Sequence, residues 1–263
     1  MDDIGRLLLG SLAQRPYVFG FLALYLVAAA ASWGWLRAVT FTGLAGSLAF
    51  LAEFSSTRIG VPFGLYHYTG VTRGQELYLA NVPFFDPLSF AFLAWASLGL
   101  ARVVRARLEG RRRAGVARSL VLAATAGLLM MWLDLVIDPL AVRGDRWFLG
   151  RVFYYPEPGW YFGVPTANFA GWAVLGAVIA ALWLVVEPRL GGRPSVWGER
   201  LPGRVWYPVL VYYLVLLFNL SLTGLVAEPA LFWAGVLGHL PLVFLVICCV
   251  SFPVPVVTAG ESA

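Results

Sequence analysis

Asp134 and Asp138 stand four residues apart at the end of an apolar run, LMMWLDLVIDP. On a helix that spacing puts both carboxyls on one face, near enough to interact. Two carboxylates in a site of low dielectric do not both ionise readily, so such a pair tends to keep a proton. A retained acid proton is what protonation of a weakly basic substrate demands. Three further polar residues sit at the ends of other apolar runs: Glu53, Asp86 (just before Pro87) and Asn168. An ionisable group inside an apolar segment is costly and functional by default. Asp134, Asp138 and Glu53 are therefore the candidate catalytic residues, with Asp134 as expected proton donor. Asp86 and Asn168 are candidates for substrate binding. The competing reading pairs these acids with Arg58, Arg143, Arg146 or Arg151, or makes them helix caps. It bears hardest on Asp138, which precedes Pro139.

Aromatic residues crowd the same segments: Tyr66, Tyr68, Trp147, Tyr154, Tyr155, Trp160, Tyr161 and Trp172, with His67 among them. Ring faces stabilise a cation, so Tyr66, His67, Tyr68, Trp147, Tyr161 and Trp172 are candidate substrate-binding residues. An interfacial aromatic belt accounts for many such side chains as well, Trp160 and Tyr161 foremost. Glu76 and Glu157 read as solvated loop charges. His239 lies inside an apolar run, where a histidine is more often a satisfied hydrogen-bonder than a catalyst.

The elements that must position these residues follow from composition. Of 263 residues, 60% are hydrophobic and 13% charged, with a mean hydropathy of +0.78. No soluble core of this size hides so much apolar surface. The expected fold is an all-α, polytopic transmembrane bundle of about seven helices, with interfacial loops on its outer face and one membrane domain over 1–263. The motif-bearing core spans 45–175, and the last helices lie within 207–250. Apolar runs place the spans at 17–36, 39–54, 82–101, 119–137, 161–186, 207–226 and 231–250. The N-terminal stretch lacks the basic n-region and cleavage site of a signal peptide.

All 19 basic residues are arginines. Without lysine there is no retinal Schiff base and no P-loop lysine. Two histidines and the adjacent Cys248 and Cys249 are too few for a histidine-rich metal centre, and no metal or other cofactor is expected. Seven arginines between Arg102 and Arg118 mark a cytoplasmic connection, and Arg189, Arg193, Arg200 and Arg204 mark another, with Arg37 in the connection between the first two spans. Topology explains these clusters better than nucleic-acid binding. The N-terminus is then outside and the C-terminus cytoplasmic, in a multi-pass protein of the cell membrane. The loops after Glu53 and Asp134 fall outside, as irregular segments that could cover a pocket.

Four segments together resemble the CruF-type carotenoid biosynthesis family: ExxSxxxGxPFGxYxY from Glu53 to Tyr68, VPFFDP from Val82 to Pro87, DxxxDP from Asp134 to Pro139, and YxGVPxxNFxGW from Tyr161 to Trp172. Characterised members are carotenoid 1,2-hydratases, among them bisanhydrobacterioruberin hydratase. The resemblance implies addition of water across the terminal C1–C2 double bond of an acyclic, lycopene-like carotenoid, with water and membrane lipid as its other partners. The residue chemistry is compatible. Protonation of a trisubstituted alkene leaves a tertiary cation, which needs a neutral acid, aromatic faces and a held water. Capture of that cation by a neighbouring alkene would make a lycopene-type cyclase instead. From other classes, a proton- or ion-coupled transporter and a non-catalytic carotenoid-binding protein remain alternatives.

Overall fold

The computed structural model describes residues 3–109, 115–191 and 201–251; the Arg111 to Arg113 run and residues 192–200 lie outside them. Among the described residues are eight helices: α1 (Asp3–Gln14), α2 (Pro16–Trp33), α3 (Trp35–Ile59), α4 (Phe85–Glu109), α5 (Val116–Ala141), α6 (Thr166–Val186), α7 (Tyr207–Leu225) and α8 (Pro229–Ser251). The seven from α2 to α8 are long and apolar enough to cross a membrane. This is a polytopic helical bundle, as composition implies.

The helices depart from the expected runs where polar residues continue a helix. The second span is 25 residues long, well beyond the expected end at Phe54. Thr57 Oγ1 and Arg58 Nη1 bond back to the Phe54 carbonyl at 3.1 and 2.8 Å, satisfying their own polar groups within the last turns of the helix. Gly34 alone joins α2 to α3. Its φ of 89° reverses the chain where a side chain would be strained, so Arg37 sits in the first turn of α3 and not in a connection.

Helix α4 is the most enclosed span and packs against α2, α3, α5 and α7. Helices α5 and α6 approach closely through small residues. A methyl group on Gly127 would lie 2.2 Å from the Ala173 carbonyl oxygen, and one on Gly176 3.0 Å from Gly127 Cα. Chain direction then does the positioning. The ends of α3 and α5 and the starts of α4 and α6 meet at one end of the bundle. The opposite end carries arginine: Arg37 donates to the Leu190 carbonyl at 3.2 Å, and Arg102 pairs with Glu187 at 2.5 Å.

Two loops, 60–84 and 142–165, cap the first end and are paired with each other. Strand β1 (His67–Tyr68) runs antiparallel to β4 (Phe153–Tyr154), with His67 opposite Tyr154 and Tyr68 opposite Phe153. Within the first loop, β2 (Tyr78–Leu79) pairs with β3 (Val82–Pro83). Arg15, between α1 and α2, fastens both loops: it donates to the Leu149 carbonyl at 2.5 Å and to Glu76 at 3.2 Å, beneath the Phe85 ring. Glu76 is therefore not a solvated loop charge. Its side chain is fully enclosed, because Arg15 neutralises it and Thr72 donates to it. Glu157 is exposed as expected.

Candidate active site

Under the paired loops, four helices bring five polar side chains together. Asn168 Nδ2 donates to Asp134 Oδ2 at 2.7 Å and to Asp138 Oδ2 at 2.8 Å, which uses both of its amide protons. Asp134 Oδ1 also accepts the Asp138 backbone N–H at 3.3 Å. On the other side, Tyr68 Oη lies 2.6 Å from Asp86 Oδ2 and 3.1 Å from Glu53 Oε2. A phenol carries one proton, so for both contacts to be hydrogen bonds one of these two carboxyls must supply the second. None of the four acids forms an ion pair among the described residues. The arginines that could have neutralised them are engaged elsewhere: Arg143 and Arg146 on Glu228, Arg58 on Asn81, and Arg151 over the Tyr154 ring.

Two cavities adjoin this cluster. The first is an apolar slot of about 110 Å³ between α2, α4, α5 and α7, walled by Tyr17, Phe21, Phe92, Leu93, Ile137 and Phe218. The second is a small polar chamber of about 40 Å³, bounded by Glu53, Tyr66, Tyr68, Tyr155 and Asn168. At roughly 10–15 Å³ per water, the chamber has room for about three or four. Asp86, Phe90, Asp138, Phe153 and Trp172 line both spaces. Asp86 and Asp138 are correspondingly half-buried, whereas Asp134 is 0% exposed and lines neither cavity. The hydroxyls around the chamber stay neutral. Burial, then the nearby Asp86 and Glu53, push Tyr68 well above the usual phenol range; burial with the same two acids does so for Tyr66. Among the described residues, no three His, Cys, Asp or Glu side chains are grouped to hold a metal ion.

The profile of the carotenoid biosynthesis protein family matches residues 15–247, nearly the whole bundle and all of the acid cluster. The chain belongs to that family. A bisanhydrobacterioruberin hydratase from Haloarcula japonica is 34% identical over 131 residues, a stretch that makes up 50% of this chain and 39% of the relative. The match thus spans well under two thirds of that relative's length. No solved structure matches the chain.

Within this family member, most of the residues singled out by sequence do converge. Glu53, Tyr66, Tyr68, Asp86, Asp138, Asn168 and Trp172 border the polar chamber, and Trp147 borders the slot. His67 and Tyr161 do not reach either cavity. Strand alternation turns His67 away between Tyr66 and Tyr68, so its ring faces Tyr154 at 5.9 Å. Tyr161 serves the backbone. Pro139 has no N–H for the carbonyl four residues back, and Tyr161 Oη donates to that Leu135 oxygen at 3.3 Å. Sequence reasoning missed the walls drawn from α2 and α7, namely Tyr17, Phe21, Phe218 and Asn219. An aromatic inside a uniformly apolar span carries no signal of which way it faces. For Asn219 the signal existed: a buried amide in such a span needs a partner, and it donates to the Val215 carbonyl at 2.9 Å.

Proposed function

We propose that the protein is a carotenoid hydratase that adds water to the terminal double bond of an acyclic carotenoid. The observation that carries this reading is the pair of adjoining cavities, one apolar and one polar, with Asp86 and Asp138 in the wall common to both. An apolar cavity of roughly 150 Å³ accepts one benzene ring, so the slot suits a branched end group and not a whole polyene. The rest of the chain would lie in the bilayer between α2 and α7. Asp138 is the member of the Asp134–Asp138 pair that meets the substrate, so the proposal moves the donor's role from Asp134 to Asp138. Asp134, held by Asn168 and the Asp138 backbone, is the positioning partner with which it shares a proton.

The steps balance without another reactant. The Asp138 proton adds to C2 of the terminal alkene, the π electrons form that C–H bond, and C1 is left a tertiary cation. The faces of Phe90, Phe153 and Trp172 stabilise it. Water from the chamber attacks C1 and loses a proton toward Tyr68 and the Glu53–Asp86 pair, from which Asp138 is recharged. Space for water beside the cation favours hydration over cyclisation. Grouping of the acids at one end of the bundle, away from the midplane, favours an enzyme over an ion-coupled transporter.

Expression of the gene in a lycopene-accumulating bacterium tests the reading by pigment mass. Products one or two waters heavier are expected. An unchanged mass with altered absorbance would replace the hydratase with a cyclase, and unaltered pigment in a strain that makes the protein would defeat both.

Arginine bias sets the orientation within this proposal, with the capped end outside and the N-terminus with it. A phosphatase reporter fused after Gly115 should stay inactive and one fused after Glu157 should be active. The reverse pattern would place the acid cluster on the cytoplasmic side.

A further inference from the structure

A hydratase whose organic substrate arrives from lipid still has to be fed water. The apolar slot adjoins the polar chamber at Phe90, Phe153 and Trp172, and water supplied along the slot would have to leave its hydrogen-bonding partners to cross an apolar lining. A third cavity, about 410 Å³, lies on the outside of the second loop, lined by Arg143, Asp145, Arg146, Arg151, Tyr154 and Tyr155. Asp145, Arg146 and Arg151 are exposed, which makes this a hydrated vestibule. Tyr155 is the one described residue that lines both the vestibule and the acid chamber.

We infer that Tyr155 is the gate through which water passes from this charged vestibule into the acid chamber. Its place in the chain suits the task. Tyr155 follows β4, so it points inward like Phe153, while Tyr154 between them points out to the vestibule. The ring is held edge-on by Phe153 at 5.9 Å and tilted against Tyr66 at 5.8 Å, contacts that a rotation of the ring breaks without moving the backbone. Its hydroxyl makes no protein hydrogen bond among the described residues, unlike those of Tyr68 and Tyr161, and is left free to bind a passing water. Burial, and after it the neighbouring Asp138 and Asp134 carboxyls, push that hydroxyl well above the usual phenol range. The gate therefore stays neutral and does not bring a second charge to the acids. The vestibule arginines have their own role here: Arg143 and Arg146 lock the loop to Glu228, which leaves the Tyr155 side chain as the movable part.

The purpose of such a gate rests on the hydratase reading; its geometry does not, and the two are tested separately. In a Cys248→Ser, Cys249→Ser background, Phe63→Cys places a thiol on the chamber wall. The full-length protein in lipid nanodiscs is then treated with 2-(trimethylammonio)ethyl methanethiosulfonate, whose fixed charge keeps it out of the bilayer and the apolar slot. Adding Tyr155→Ala should speed labelling about tenfold or more, and adding Tyr155→Trp should slow it by a similar factor, since each factor of ten corresponds to a modest change in barrier. If the alanine variant does not fold, Tyr155→Leu serves in its place, and slowing by tryptophan is decisive alone. Equal labelling in all folded variants would overturn the gate. Graded labelling, beside an unsubstituted parent that hydrates no pigment, would uphold the gate and reject the hydratase.

Discussion

Asp138→Asn is expected to reduce carotenoid hydration about 10² to 10⁴-fold, the usual cost of losing an acid that acts in the transition state. The amide fills the same space and its oxygen can still accept from Asn168, which now holds Asp138 at 2.8 Å. Folding and polyene binding should persist, as thermal unfolding and visible absorbance of the bound pigment would show. Asp134→Asn acts differently. Both Asp134 oxygens accept, Oδ2 from Asn168 and Oδ1 from the Asp138 backbone N–H, so an amide here sets a donor against a donor on one side. Its effect should be a smaller loss that comes with reduced thermal stability, since Asp134 is enclosed and touches neither cavity. Pigment mass analysis of both variants decides between them. Near-normal turnover in Asp138→Asn beside an inactive but folded Asp134→Asn would return the donor's role to the deeper acid. Full activity in both would end the case for acid catalysis by this pair.

The difference between the two aspartates shows what a sequence can and cannot say about such a site. That Glu53, Asp86, Asp134, Asp138 and Asn168 belong together is legible. Polar residues in apolar runs are expensive, and alternation of seven spans sends these five to the same end of the bundle. Which acid lines the cavities is not legible, because i and i+4 share a helix face and a depth difference of one turn decides it. Parity in the short strands is a second case. HY and FY at β1 and β4 look equivalent in sequence, and only the pairing of Tyr68 with Phe153 sorts inward from outward rings. Helix α1 went unread because it is 12 residues long, too short for a span. It nonetheless lies on the first loop, where Ser11 Oγ accepts the Leu77 N–H at 3.0 Å.

Least visible of all was the pair that holds the cap in place, because Arg15 and Glu76 are 61 residues apart. Its loss is expected to have the largest effect on stability. Side-chain exposure is 1% for Arg15 and 0% for Glu76, so replacing Arg15 by Met strands a carboxylate in a closed site. Breaking a buried pair on one side costs about 3–5 kcal/mol, whereas exchanging both partners for apolar residues of similar size is often neutral or better. Arg15→Met should therefore unfold at a much lower temperature than the parent in the same detergent, and Arg15→Met with Glu76→Met should recover most of the difference. Activity need not follow stability. Arg15 also holds the Leu149 carbonyl of the second loop, and the double variant restores charge balance without restoring that bond. With one tie between the loops lost and the rest left to the short β1–β4 pairing and the Thr69 bonds to the Arg151 and Val152 carbonyls, the recovered protein should hydrate pigment more slowly than the parent. A single variant as stable as the double would show that Glu76 finds another proton or partner once Arg15 is gone, and the pair would then be packing and not a fastening.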